Sequence, residues 1–276
     1  MNRTVEEPVS GSAEVASEQI VQPRPMRGFA SLCARECHRV LKLWTQTTLA
    51  PVVSAVLFIV VFGLSLGTRI NEVQGFDYRV FIVPGLVAMA MAQAAYSNNA
   101  SSIYQGRSDR YIDDILAAPM RHWQVNLGYL AGGVFRALLI GGALVAIAAP
   151  ITGTPIEHPL LLGVAVTLLV VGFGSLGTVV GIYAESFDHT SFINNIVILP
   201  LTFLGGVFYS VDRLGSPWEQ ISHANPLFYV VDAVRYGFLG VSDAGAWLSY
   251  GVLALMALAL LAWSQYLFAT GRRLKP

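Results

Sequence analysis

Residues 160–184 read LLLGVAVTLLVVGFGSLGTVVGIYA, an apolar run of 25 residues without a charged side chain. As an α-helix, a run of this length extends about 37 Å, whereas the hydrocarbon core of a bilayer is about 30 Å thick. The run therefore predicts a helix that crosses a membrane.

The rest of the chain agrees with this prediction. Hydrophobic residues make up 54% of the sequence and charged residues 12%, about half the charged fraction of a soluble domain. So few charges cannot cover a folded surface in water, which argues against a soluble enzyme, and a net charge of zero gives no overall basic field for nucleic acid. We expect an all-α integral membrane protein with six transmembrane helices, at about 49–67, 80–104, 125–150, 160–184, 191–208 and 246–269.

Basic residues predict the orientation of these helices. Six crossings place both termini on one side, and the side richer in Lys and Arg is the cytoplasmic one. With the N-terminus inside, the inner segments hold twelve Lys and Arg, and the outer loops hold only Arg69, Arg79, Arg213 and Arg235. Both termini are therefore expected in the cytoplasm.

Two segments precede the six-helix domain, which is expected to occupy residues 49–276. Residues 1–26 contain Glu, Ser and Pro without hydrophobic periodicity, which predicts a disordered cytoplasmic tail. In residues 27–48, apolar side chains from Phe29 onward recur at spacings of three and four, which predicts an amphipathic helix at the membrane interface. The polar face of that helix carries Arg35, Glu36, Arg39 and Lys42.

The loop 105–123, on the cytoplasmic side, contains a second amphipathic pattern. Apolar side chains share one helical face, acids occupy another, and a proline ends the segment. Exposed apolar residues rimmed by charge are typical of a docking surface, so we expect a cytosolic partner to bind here. The residues assigned to the docking surface are Asp109, Arg110, Tyr111, Ile112, Asp113, Asp114, Ile115, Leu116 and Pro119.

The outer stretch 209–245 is long, aromatic and only partly polar. Pro217-Trp218 and Asn225-Pro226 interrupt it, which predicts re-entrant or interfacial helices between the fifth and sixth crossings. Asp232 and Arg235 are three residues apart and are expected either to pair with each other or to contact a substrate.

Glycines in the fourth run form the pattern G-x-G-x-x-G at Gly172, Gly174 and Gly177. A dinucleotide site requires this pattern between a strand and a helix, and here it lies inside an apolar run. Because Gly181 continues the same series of small residues, we interpret the glycines as a close helix-packing surface.

Sites for ATP, metal or catalysis are not indicated. A Walker A motif needs Gly-Lys, and a leucine precedes both Lys42 and Lys275. Cys33 and Cys37 lie one helical turn apart beside His38, but packing explains them better than a metal site does. We therefore predict no catalytic residue, no metal and no cofactor bound by this chain.

Arg136 is the only charged residue well inside a predicted crossing. An ionisable group inside the membrane is a candidate functional residue. Alternatively, the helix begins below the membrane and Arg136 extends to the inner head groups. The sequence leaves both interpretations open.

Several segments, in order along the chain, resemble the ABC-2 type permeases of ATP-binding-cassette exporters, in particular the nodulation-factor and daunorubicin-type permeases. The amphipathic helix runs directly into the first crossing, and 106–119, with Asp113-Asp114 before Ile-Leu and Pro119, is similar to the family's coupling segment. The stretch from Phe203 to Tyr209 resembles the one that follows the fifth crossing. The outer motif is matched by Asn225-Pro226-Leu227, Asp232, Arg235 and Gly240.

The resemblance implies a homodimer in a bacterial inner membrane, which binds two cytosolic ABC ATPase subunits that carry ATP and Mg²⁺. The interface helix, with Phe29, Arg35, Glu36 and Arg39, and the coupling helix would contact the ATPases. A substrate path or outer gate between the protomers would involve Arg136, Phe203, Phe208, Asp232 and Arg235.

The function expected from the sequence is therefore export of an amphipathic, drug-like or lipid- or glycan-linked substrate. Two alternatives from other classes remain. An integral membrane enzyme acting on lipid would need convergent acids or histidines, and an ion-coupled carrier would show inverted repeats with charges at the membrane midplane; neither pattern is evident.

Overall fold

A computed structural model describes residues 25–65, 67, 72–271 and 273–274. Most of the predicted tail, residues 1–24, lies outside the described residues. The described part of the chain contains eleven α-helices: α1 Pro25–Lys42, α2 Ala50–Ser65, α3 Tyr78–Ser108, α4 Tyr111–Ala117, α5 His122–Thr152, α6 Pro159–Tyr183, α7 Phe187–Phe192, α8 Leu199–Leu204, α9 Trp218–Ala224, α10 Pro226–Leu239 and α11 Ala246–Thr270.

Short elements join these helices. A β-hairpin before α3 pairs β1 (Glu72–Val73) with β2 (Phe76–Asp77) in antiparallel register. Two π-helical turns, Thr45–Leu49 and Ile193–Ile198, precede α2 and α8, and a 3₁₀ turn covers Val211–Arg213. The chain is thus mostly helical, as the sequence predicts.

Within the described residues, five helical segments are long and apolar enough to cross a membrane. Their residues overlap five of the six predicted crossings: Thr45–Gly63, Tyr78–Ser108, His122–Thr152, Pro159–Tyr183 and Ala246–Thr270. Two of the segments, α3 and α5, have 31 residues each, several more than the roughly 20 that a crossing needs. At both ends, α3 extends beyond the predicted crossing 80–104, and α5 extends beyond the predicted crossing 125–150.

The predicted crossing 191–208 has a different form. Phe187–Leu204 is helical throughout but is divided into α7, a π-helical turn and α8. Polar side chains at Asn194 and Asn195 lie in the π-helical turn, and Pro200 starts α8. The described structure therefore contains no single long helix at this position.

The centre of the fold is α3, whose side chains are buried along nearly its whole length. It packs against α2, α5, α6 and α10. The surrounding helices expose large apolar side chains on their outer faces, such as Leu57 (57%), Leu160 (86%) and Leu255 (71%). Exposed apolar faces of this extent are typical of a protein that contacts lipid or another membrane subunit.

Glycines of α6 allow this helix to pack closely against the backbone of α3. A Cβ atom on Gly177 would overlap the carbonyl oxygen of Tyr96 and lie 3.1 Å from the amide nitrogen of Ala100. A Cβ on Gly181 would lie 2.8 Å from the carbonyl oxygen of Ala100. The prediction that these glycines form a packing surface is confirmed.

The bundle has two ends with different partners. At the first, called the α4 end, α1 and α4 pack beside the start of α5, where the rings of Phe29 and Trp123 lie 6.3 Å apart. At the second, called the α10 end, the α5–α6 loop contacts α10 through hydrogen bonds from Glu157 and His158. The N-terminal interface helix predicted for 27–48 ends earlier, at Lys42, and the Thr47 hydroxyl beyond it donates to the carbonyl oxygens of Val40 and Leu43.

Candidate functional site

The helix α4 has seven residues and is preceded by an unusual backbone conformation. Arg110, which precedes it, has φ 60°, a left-handed conformation that costs free energy for a residue other than glycine. Asp113 and Asp114 lie in its first turn, where negative charge is favourable. The chain leaves the helix through Ala118 in an extended conformation, as expected before Pro119.

The predicted docking residues divide into exposed and buried sets. Asp109, Arg110, Asp114 and Pro119 are exposed, whereas Tyr111, Asp113, Ile115 and Leu116 are partly buried. Ile112 is only 1% exposed and packs in a hydrophobic cluster with Leu32, Ile103, Val125 and Leu274. The prediction that Ile112 belongs to the docking surface is therefore wrong, because this side chain fixes α4 to the helices beneath it.

Tyr111 attaches α4 to both α3 and α1. Its hydroxyl donates to the carbonyl oxygen of Ser102 at 3.3 Å, and the guanidinium of Arg35 lies 4.9 Å from its ring centroid. Burial raises the pKa of the Tyr111 phenol above its ordinary value, so the hydroxyl remains a neutral donor. This side chain therefore connects α4 to both of these helices.

Glu36 is at the centre of a polar cluster beneath α1. Its carboxylate accepts a hydrogen bond from the Ser102 hydroxyl at 2.7 Å, and lies 2.8 Å from Arg35 and 3.2 Å from Arg39. Arg39 in turn donates to the backbone carbonyl of Asn98 at 3.1 Å and to its side-chain oxygen at 3.2 Å. The cluster therefore ties α1 to α3 by charged hydrogen bonds, which are stronger than neutral ones.

Glu36 lies on the predicted polar face of the interface helix, but this face is covered at Glu36 by other helices. The residue is 1% exposed, because α1 lies against α3 and α5 and not only against head groups. Gly132 of α5 makes room for it, since a Cβ there would lie 2.8 Å from the Cβ of Glu36. The partners Asn98 and Ser102 were not predicted from the sequence, although polar residues inside an apolar run were a signal for them.

A cavity of about 390 Å³ lies between α2, α3, α5 and α8, and we call it the Arg136 cavity. Nε of Arg136 donates to the Thr47 carbonyl oxygen at 2.9 Å, in the π-helical turn that precedes α2. Arg136 thus lines a partly open cavity, in which Gln46, Ala50 and Ser54 are exposed, and also contacts the segment at the start of the first span. The cavity is lined by Gln46, Ala50, Pro51, Ser54, Ala55, Phe58, Met89, Ala90, Gln93, Ala94, Ser97, Arg136, Leu199 and Phe203.

An aromatic cluster lies at the other end of the Arg136 cavity. The ring of Phe208 is 5.5 Å from that of Phe203, 6.2 Å from Phe58 and 4.8 Å from Phe62, measured between centroids. The structure thus brings together the two predicted gate residues Phe203 and Phe208. Phe58 and Phe62 of α2, which complete the cluster, were not singled out by the sequence.

The predicted pair of Asp232 and Arg235 is separated into two neighbouring arrangements. Arg235 lies 3.6 Å from Asp243, donates to the carbonyl oxygen of Gly206 at 2.5 Å and stacks on Phe81. Asp232 instead accepts hydrogen bonds from the Ser242 and Ser249 hydroxyls and from the Asp243 backbone amide. The predicted partner was wrong, because the chain turns back after α10 and brings Asp243 to Arg235.

Both residues of this α10-end cluster, Asp232 and Arg235, are fully buried. Asp243 also receives hydrogen bonds from Ser210 and from the backbone amide of Val211, which join the segment after α8 to the segment after α10. These contacts stabilise the packing of the segment after α8 against α10 and the turn that follows it. Asp232 and Arg235 do not face the Arg136 cavity.

The cysteines of α1 are not arranged for chemistry. Burial raises the pKa of both the Cys33 and the Cys37 thiol, which makes them poorer nucleophiles and poorer metal ligands. Across the described residues, no group of three His, Cys, Asp or Glu side chains is placed to hold a metal ion.

Comparison with known proteins agrees with the architecture. Residues 27–239 match the family model described as ABC-2 type transporter. The chain is 37% identical over 247 residues to the inner membrane transport permease YadH of Escherichia coli (strain K12), covering 89% of this chain and 96% of that protein. It is 28% identical over 220 residues to nodulation protein J of Rhizobium leguminosarum bv. viciae, covering 77% and 84% respectively.

Proposed function

The chain belongs to the ABC-2 type transporter family, and we propose that it is the permease subunit of an ATP-driven exporter. Its substrate is an amphipathic, drug-like, lipid-linked or glycan-linked molecule that moves outward across a bacterial inner membrane. Chemical catalysis is not part of this role, since ATP and Mg²⁺ are bound by a separate ATPase. Support comes from the relatives, one of which is named as an inner membrane transport permease.

The topology that fits this role has six crossings, with Phe187–Leu204 as the fifth. This segment has the 18 residues of a short crossing and exposes large apolar side chains such as Ile196 (59%). The α4 end is the cytoplasmic one, because it carries most of the basic residues. Both termini then lie in the cytoplasm.

The observation that carries the proposal is the position of α4. It projects at one end of the bundle with an exposed acidic edge, and Ile112 and Tyr111 hold it firmly to α1, α3 and α5. A helix arranged in this way can receive force from a cytosolic partner and transmit it to the crossings. Two permease chains and two ATPases would form the complete transporter.

Two exposed acids at the α4 end provide the test: Asp109, which follows α3, and Asp114 of α4. We expect that the variant Asp109→Arg with Asp114→Arg loses co-purification with the co-expressed ABC ATPase by about tenfold or more, because reversed charges at an interface are strongly unfavourable. The measurement is the amount of ATPase retained per permease chain on affinity purification from detergent. Both side chains are exposed, so folding should be unaffected.

Glu157→Arg is the matched control, since Glu157 is an exposed acid at the α10 end. It should retain the full amount of ATPase. If the α4 variant also retained it, the ATPase would not dock on α4, and the proposed coupling route would be rejected.

A further inference from the structure

Arg136 lacks a counter-ion in the described structure. Its Nε is satisfied by the Thr47 carbonyl oxygen, but neither Nη atom takes part in a hydrogen bond or an ion pair with any described residue. The charged neighbour that acts on it most strongly is another cation, Arg39. Arg136 is partly buried, and its Nη atoms are not enclosed by the described residues. The side of the guanidinium without a partner is therefore accessible to an anion, with which it can form charged hydrogen bonds.

The other polar groups of the Arg136 cavity are consistent with an anionic occupant. Neither Asp nor Glu lines the cavity, and its remaining polar residues are amides and hydroxyls, among them Gln46 and Ser54. Nε2 of Gln93 is buried and has no acceptor among the described residues. An amide nitrogen that needs an acceptor and a guanidinium that needs a negative charge are both satisfied by an oxyanion.

The remainder of the lining is apolar, which indicates an occupant with a hydrocarbon part. Phe58, Met89, Leu199 and Phe203 supply most of this surface. Twelve residues separate Gln46 from Phe58 along a helical segment, a rise of about 18 Å. A head group at Arg136 would therefore leave room for a chain directed toward the aromatic cluster.

We propose that the Arg136 cavity binds an amphiphile with an anionic head group, the acid being held by Arg136 and Gln93 and the chain by the apolar lining. This assignment rests on the proposed export function and narrows the substrate class to acidic amphiphiles, for example those that carry a phosphate. It also favours a functional role for Arg136, because its guanidinium lines a cavity that also contains an amide nitrogen without an acceptor.

The test uses three detergents that share a dodecyl chain and differ in head group: dodecyl phosphate, dodecyl maltoside and dodecyltrimethylammonium. The full chain is placed in phosphatidylcholine nanodiscs with equal amounts of the three probes, and native mass spectrometry counts what stays bound. We expect the wild type to prefer dodecyl phosphate, and Arg136→Gln to lower that preference about tenfold. Arg136→Lys keeps the charge and should retain most of it.

Arg79→Gln is the matched control. Arg79 also donates through Nε to a backbone carbonyl of α2, that of Gly63, but it lies at the opposite end of the helix and outside the Arg136 cavity. It should leave the head-group preference unchanged. If Arg136→Gln fails to fold, Gln93→Leu replaces it, and we expect a smaller loss of the same preference.

The proposal is overturned if the wild type shows no preference for dodecyl phosphate, or if Arg136→Gln and Gln93→Leu keep that preference. Displacement of dodecyl phosphate by an equal concentration of sodium phosphate would also overturn it, because the hydrocarbon chain would then contribute nothing to binding. None of these arms requires ATP or ATPase. A chain that binds its ATPase but does not distinguish head groups would refute this inference alone, and a chain that distinguishes them without binding an ATPase would refute the exporter.

Discussion

Replacing Gly177 by alanine is expected to lower the free energy of unfolding by about 3 kcal/mol, near the upper end of the usual cost of overpacking. The added Cβ would overlap the Tyr96 carbonyl oxygen and lie 3.0 Å from the Tyr96 carbonyl carbon. These are backbone atoms of the central helix, so no side chain can rotate away. Thermal unfolding in detergent should show a Tm lower by roughly 10 °C, at about 2–4 °C per kcal/mol.

Gly163→Ala is the same substitution in the same helix and serves as the control. A Cβ at Gly163 would meet nothing within 4 Å. Because alanine is favoured over glycine in a helix by about 1 kcal/mol, the variant should be as stable as the wild type or slightly more stable. Equal Tm values for the two variants would show that α3 and α6 are not in close contact at Gly177.

Removal of the Glu36 charge has the second largest expected effect. In Glu36→Gln the two arginines lose their anion, and the Ser102 hydroxyl faces an amide in place of a carboxylate. Breaking a fully buried ion pair costs about 3–5 kcal/mol. Since Arg35 is 43% exposed and Arg39 25% exposed, water compensates in part, and we expect a loss near 2 kcal/mol.

Glu185→Gln is the control for the Glu36 variant. Glu185 is an exposed carboxylate in the turn between α6 and α7, so its loss should change stability by less than about 0.5 kcal/mol. Thermal unfolding of both variants gives the comparison.

The ATPase retained on co-purification should also fall for Glu36→Gln, because Glu36 pairs with Arg35, and Arg35 contacts the Tyr111 ring of α4. If Glu36→Gln and Glu185→Gln had the same Tm and retained the same amount of ATPase, Glu36 would not stabilise the packing of α1 and α4.

The parts of the fold that depend on local pattern were predictable. Apolar runs locate helices that can cross a membrane, and five of the six predicted runs match such a helix. The glycines of α6 predict close packing, because small residues on a membrane helix allow the backbone of a neighbouring helix to approach. Both inferences need only neighbouring residues of the chain.

What covers a helix face was not predictable. Periodicity places Glu36 on a polar face and Ile112 on an apolar one, but both are 1% exposed. Glu36 is covered because Gly132 admits it, and Ile112 because Leu32 and Val125 from other helices meet it. These contacts depend on tertiary packing, which the spacing within one segment does not contain.

Long-range partners of charged residues escape sequence reasoning for the same reason. Asp232 and Arg235 suggest a pair at three-residue spacing, yet the turn after α10 supplies Asp243 as the partner of Arg235. For Arg136, the sequence marks the residue but not its contact, because that contact needs the Thr47 carbonyl in a π-helical turn. The candidate site thus follows from a few conspicuous residues whose partners only the fold reveals.

We propose that this chain is the permease of an ATP-driven exporter. The mass of the complex that it forms with an ABC ATPase tests this proposal most directly. The chain and a candidate ABC ATPase from the same organism would be co-expressed, purified in detergent and weighed by native mass spectrometry. We predict a complex of two permease chains and two ATPases. A stable permease free of any nucleotide-binding partner would contradict the account and favour a carrier or a lipid-modifying enzyme.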